Sequence, residues 1–251
     1  MATSQPPLAD IQGNVLRGYG TRYEAVRHLV LEVVDPASAR EALGALPVTN
    51  AEVVPARAGR SWCCNVGITF AGLAALGVPR TSLDTFPPEF RAGMPARSWR
   101  LGDVGPSDPS GWIPGLAATG RVHVLVSITG LTPGDLDAPA RDVLSDGRAW
   151  RTVCDPLDGA ALAPGDRSVH FGYLDGISQP RFVGIHDPDV YPDHEFAPLG
   201  TVLLGYPAAV PSVRWTVPSP EVLGRNGAFN AFRILEQDVA AFEAYLASTS
   251  A

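Results

Sequence analysis

Lysine is absent from this chain of 251 residues, so all 19 basic side chains are arginine. They face 26 acidic residues, and the formal net charge is -7. That balance argues against nucleic acid or an anionic membrane as partner. No apolar run reaches the ~18 residues of a membrane span. The opening Met-Ala-Thr-Ser-Gln-Pro-Pro has neither a basic nor an apolar stretch, so no secretory signal is expected and the cytoplasm is the expected location. Three cysteines make no disulfide framework. Cys63 and Cys64 are adjacent in an apolar run and read as buried small hydrophobes. The chain also lacks a Walker loop, a Gly-x-Gly-x-x-Gly after a strand, and the Gly-x-Ser-x-Gly elbow of hydrolases.

What remains is globular: 45% hydrophobic and 18% charged residues. Val26 to Val34 reads as a strand rich in β-branched residues. Asp35-Pro36 opens a helix through Leu46. Trp62 to Phe70 is a second strand, and Ala71 to Leu76 a short helix ended by Gly77. Arg97 to Gly115 reads as loop. Val122 to Thr129 is a third strand, Pro133 to Ala149 a helix, and Trp150 to Leu162 a fourth strand. The order strand–helix–strand–strand–helix–strand predicts an α+β fold with a ferredoxin-like, split βαβ antiparallel sheet over residues 1–165. Its two long helices should lie on one face.

Residues 166–251 differ in character. Ile185 to Pro198 is a Pro-rich acidic loop, and Gly200 to Tyr206 is expected to be a strand. Asn226 to Leu235 reads as a further strand, followed by a helix from Gln237 to Leu246 with Val239, Phe242 and Leu246 at helical spacing. This pair suggests an abbreviated second ferredoxin-like unit, with an open sheet edge and an apolar stripe suited to oligomer formation.

One stretch carries candidate chemistry: His170-Phe-Gly-Tyr-Leu-Asp-Gly-Ile-Ser-Gln-Pro180 sets Asp175 between Gly172 and Gly176. By itself Asp-Gly is a turn dipeptide, and a plain turn accounts for it. Among the five histidines, His28 and His123 fall in strands and His186 and His194 in the acidic loop, so no metal site is assigned from the residues.

Three segments together suggest more. Asp10-Ile-Gln-Gly-Asn-Val-Leu-Arg17, His170 to Pro180 with its Gly-x-x-Asp-Gly, and Asn226 to Tyr245 resemble, in this order, the dye-decolorizing (DyP-type) haem peroxidases. The resemblance runs from about Asp10 to Leu246. It implies an oxidoreductase that uses haem b to reduce hydrogen peroxide while oxidising an organic electron donor. Asp175 would be the distal acid–base, since a carboxylate over the iron can carry a proton between the peroxide oxygens. Gly172, Gly176, Ile177, Ser178 and Gln179 would lie along the haem. The family's proximal His and distal Arg belong after the segment that ends near Leu246, and no His or Arg here has a matching context. The resemblance therefore implies that both come from a partner chain, in a homo- or hetero-oligomer, or from an unusual local residue. The alternative is a non-catalytic scaffold of the same family with a binding or assembly role.

Overall fold

The computed structural model describes residues 6–16, 19, 23–53, 58–166, 168–174, 180–210 and 216–249. Its centre is a mainly antiparallel sheet built on β1, Ala25–Val33. The chain then forms α1 (Pro36–Ala45), β2 (Trp62–Ile68), α2 (Phe70–Ala75), β3 (Val124–Gly130), α3 (Asp137–Leu144), β4 (Trp150–Thr152) and β5 (Leu157–Ala160). The strand order is β2-β3-β1-β4, with β5 also on β1. Every pairing in this sheet is antiparallel.

Alternation along the strands sorts the side chains. Ala25, Leu29 and Leu31 of β1 share a face with Val124, Val126 and Ile128 of β3 and Cys64 of β2, and all are buried. Ala39, Ala42 and Leu43 of α1 join this cluster, as do Ala140, Val143 and Leu144 of α3. Both long helices therefore cover the same sheet face. Full burial of one such Leu or Val contributes about 1.5–3 kcal/mol, so this layer is the main source of stability. On the opposite face His28 pairs across the sheet with Ser127, and Ser127 with Asn65.

Local chemistry sets the helix ends. Asp35 caps α1, its carboxylate accepting from the Ser38 N–H at 2.7 Å, with Pro36 in the first turn. Thr69 caps α2 by accepting from the Gly72 N–H at 3.0 Å. The Trp150 indole N–H donates to the Val143 carbonyl at 2.8 Å and ties β4 to α3.

Several expectations need correction. The helix foreseen from Pro133 to Ala149 is a 3-10 turn (Pro133–Leu136) followed by α3, and it stops at Leu144. Arg97 to Gly115 is not plain loop but holds a short helix, Ser98–Leu101, and 3-10 turns. The fourth strand divides into β4 and β5 because Cys154-Asp155-Pro156 interrupts it; Pro156 has no N–H for a ladder. No strand forms at Gly200 to Tyr206; a 3-10 turn, Leu199–Thr201, leads into buried Leu203 and Leu204. Gly200 is required there, since a Cβ would lie 2.3 Å from the Pro207 carbonyl oxygen. Asn226 to Leu235 pairs with no strand among the described residues. The final helix, α4, is Val239–Thr249 and has no buried residue.

A second apolar cluster joins the two ends of the chain. Ile11, Leu16 and Ala51 pack with Phe182 and Leu203. Phe182 belongs to β6 (Arg181–Phe182), which pairs in parallel with β7 (Phe196–Ala197). Asn226 adds polar stitching at φ +64: its Nδ2 donates to Asp10 at 2.6 Å, and its Oδ1 accepts from the Tyr206 hydroxyl at 2.6 Å. Asp10-Ile-Gln-Gly-Asn is thus a structural opening. Gln12 uses its side-chain amide as a strand mimic, donating to the Val66 carbonyl and accepting from the Val66 N–H, both at 2.8 Å. That satisfies the outer edge of β2, which β3 leaves unpaired.

Candidate active site

Asp175, Gly176, Ile177, Ser178 and Gln179 lie outside the described residues, which resume at Pro180. On the near side, Ser168 and Leu174 form an antiparallel bridge, and the Val169 N–H donates to the Tyr173 carbonyl at 2.9 Å. Gly172 closes that turn at φ +82, with nothing within 4 Å of the position a Cβ would take. Its backbone therefore presents an open face. Tyr173 and Leu174 are 56% and 60% exposed, an apolar surface at this flank, with the Tyr173 ring edge-on to Phe242 at 6.1 Å. The Phe171 ring lies 4.7 Å from that of Phe242 in α4. On the far side, Pro180 leads into β6, where buried Phe182 anchors the chain in the second cluster.

The histidines differ in what their rings are doing. His123 uses both nitrogens on backbone: Nδ1 accepts from the Val33 N–H at 2.9 Å, and Nε2 lies 2.9 Å from the Gly120 carbonyl. His28 Nδ1 is 2.8 Å from Ser127 Oγ, its ring edge-on to Phe232 at 4.8 Å. Burial lowers the His28 pKa and favours the neutral imidazole. His186 Nδ1 accepts from the Phe182 N–H at 3.0 Å. His170 and His194 are exposed. Among the described residues no three His, Cys, Asp or Glu gather as a metal site. Cys63 and Cys64 are buried, and desolvation raises both thiols, Cys64 to about 11, which leaves them unreactive.

The arginines are mostly committed. Arg233 forms a two-pronged pair with buried Asp103, and Arg225 reaches Glu221 at 3.6 Å. Arg181 is different: its guanidinium lies 4.2 Å from the centre of the Tyr191 ring and makes no ion pair among the described residues. Composition gave no hint of that placement; only the position of Arg181 directly after Pro180 does. Asp187, Asp189 and Asp193 are exposed, as expected of a solvated acidic loop.

As to the fit of a haem, the described flank suits one: an open glycine backbone beside exposed apolar side chains is what a flat macrocycle would cover. An axial ligand is another matter, because the rings of His28, His123 and His186 already make hydrogen bonds within the fold.

No family model matches the chain. The dye-decolorizing peroxidase of Mycena epipterygia is 29% identical over 246 residues, which cover 96% of this chain and 44% of its own length. The dye-decolorizing peroxidase msp1 of Mycetinis scorodonius is 27% identical, with 95% of this chain and 45% of its own length covered. The multifunctional dye peroxidase DyP2 of Amycolatopsis is 31% identical over 192 residues, or 71% of this chain and 36% of its own length. A dye-decolorizing peroxidase solved with 2,6-dimethoxyphenol superposes with a TM-score of 0.79 at 29% identity, covering 97% of this chain and 53% of that one. AauDyP solved with imidazole also gives 0.79, at 25% identity, with 99% and 52% covered. Sequence and fold together show that the chain belongs to the dye-decolorizing peroxidase family and spans about half the length of the curated relatives it matches.

Proposed function

We propose that this chain forms the acid-bearing side of a haem-dependent peroxidase that reduces hydrogen peroxide and oxidises an organic donor. The observation that carries the reading is its end-to-end similarity, in sequence and in fold, to peroxidases. In this reading residues 1–165 are a ferredoxin-like domain; the strand order and the two helices on one face support that. Residues 166–251 carry the cofactor side and the start of a second unit. Haem b, when bound, supplies the redox centre. Gly172, Gly176, Ile177, Ser178 and Gln179 would line it, and the exposed surface of Tyr173 and Leu174 supports contact there. Asp175 would accept a proton from one peroxide oxygen and return it to the other, which leaves as water. The axial His and the charge-stabilising Arg come from a partner chain, a homo- or hetero-oligomer; the engagement of His28 and His123 within the sheet supports a source elsewhere.

The test is a haem titration of the purified chain, with turnover and solution mass measured alongside. The isolated chain should bind haem weakly and turn over little peroxide, since loss of one charge stabiliser costs about 3 kcal/mol, roughly 100-fold in rate. Where a completing chain restores turnover, Asp175→Asn should lower it by about 10²–10⁴-fold with haem still bound. A monomer with tight, His-ligated haem and ordinary peroxidase turnover would overturn the partner requirement. The alternative, a non-catalytic scaffold, is favoured by the same histidine engagement; complete absence of a Soret band, with or without a partner, would select it.

A further inference from the structure

We propose that Arg181 is a carboxylate-binding residue at the exit of the Asp175 segment. The proposal rests on the haem-side reading for its location and on Arg181's own surroundings for its chemistry. The Arg181 Nε is buried and has no hydrogen-bond partner among the described residues. A buried donor left unmade is costly, and native proteins satisfy nearly all of them. The guanidinium is held in place by the Tyr191 ring, 4.2 Å from its centre. His186 and His194 flank that ring at 6.2 Å and 5.5 Å, so the platform is aromatic rather than acidic.

The neighbouring acids do not satisfy the cation. Asp187, Asp189, Asp193 and Glu195 are all exposed and none is paired with Arg181, while Asp187 accepts from the Asp189 N–H at 2.9 Å. Backbone pairing of β6 with β7 fixes where the side chain starts. A planar fork stacked on a ring, with its inner N–H unused, matches the two oxygens of a carboxylate. Two sources share that chemistry: a propionate arm of the haem, and a carboxylate on an aromatic donor.

Benzoate and haem separate the sources. Adding benzoate to the purified chain should shift the Arg181 Nε–H nitrogen and proton resonances saturably; Arg181→Gln identifies them by their loss. In parallel, haem and its dimethyl ester are titrated by absorbance. If the propionate is the ligand, Arg181→Gln weakens haem about 10- to 100-fold and leaves the ester unchanged. If a donor carboxylate is the ligand, the benzoate shift persists and haem affinity is the same in both proteins. Tyr191→Leu keeps the charge but removes its platform, and should weaken whichever titration Arg181 governs; it also serves if the Gln variant does not fold. Should the wild type bind no haem, the haem reading falls while the benzoate arm still decides Arg181. No benzoate shift together with unchanged haem affinity in both variants would overturn the proposal.

Discussion

Glu32 shows how one side chain ties the sheet edge to the connection before β3. Its carboxylate accepts from Arg151 at 2.9 Å, a directly opposed cross-strand partner, and from Arg121 at 3.0 Å. Those hydrogen bonds, Arg151 first, hold its pKa down from 4.5 to about 2. The unfolded chain takes up the proton at higher pH than the folded one. The stabilisation is therefore complete above about 4.5 and is lost as pH falls towards 2. Urea unfolding of wild type and Glu32→Gln should show the gap between them closing across that window. A gap of constant size from pH 6 to pH 2.5 would mean the pairs contribute nothing. The site is less legible at this scale. The candidate acid Asp175 is marked only by its glycine-flanked motif and two distant segments, because an acid–base role would leave no periodic signature. The stacking of Arg181 on Tyr191 depends on a register of β6 and β7 too short to read from pattern.

At the level of elements, α2 is packed so closely that one methyl group decides it. A Cβ on Gly72 would stand 2.1 Å from the His123 carbonyl oxygen, which also accepts the Thr69 N–H at 3.0 Å. Gly72→Ala should destabilise the protein by about 1–3 kcal/mol through displacement of α2 from the start of β3. Thermal melting would read this as a drop of several degrees, and an unchanged midpoint would contradict the packing. Elements with a strong pattern were legible in the sequence: β1 from its β-branched run, β3 from a near-continuous apolar run, α1 from Asp35-Pro36. The failures share a cause. Leu203 and Leu204 are buried in a turn of the second cluster, and Asn226 to Leu235 is strand-like in composition but without a neighbour to pair with; residue pattern reports apolarity, not the partner.

Over the whole molecule, a few long-range contacts hold the C-terminal segment to the sheet domain. The Arg233–Asp103 pair spans 130 residues, and Asp103 is 2% exposed. Breaking a buried pair strands a charge; with Arg233 one-third exposed, Asp103→Asn should cost about 2–3 kcal/mol. Limited proteolysis should then release residues beyond Asn226 faster than in wild type, while the sheet domain stays intact. Equal cleavage rates would place the anchor elsewhere, in Asn226 or in the Phe171–Phe242 contact.

The position of β1 at the centre of its sheet also governs how this protein comes to exist. Every strand that pairs with Ala25–Val33 lies at Val124 or later. During synthesis the first strand must leave the ribosome and wait for about 90 further residues, roughly 5–20 s at the usual rate of elongation. Throughout that interval it is an apolar, β-branched segment with both edges bare. The nascent chain thus carries this unpaired segment before it is a folded domain, and slower translation between Val34 and Val124 would lengthen the exposure.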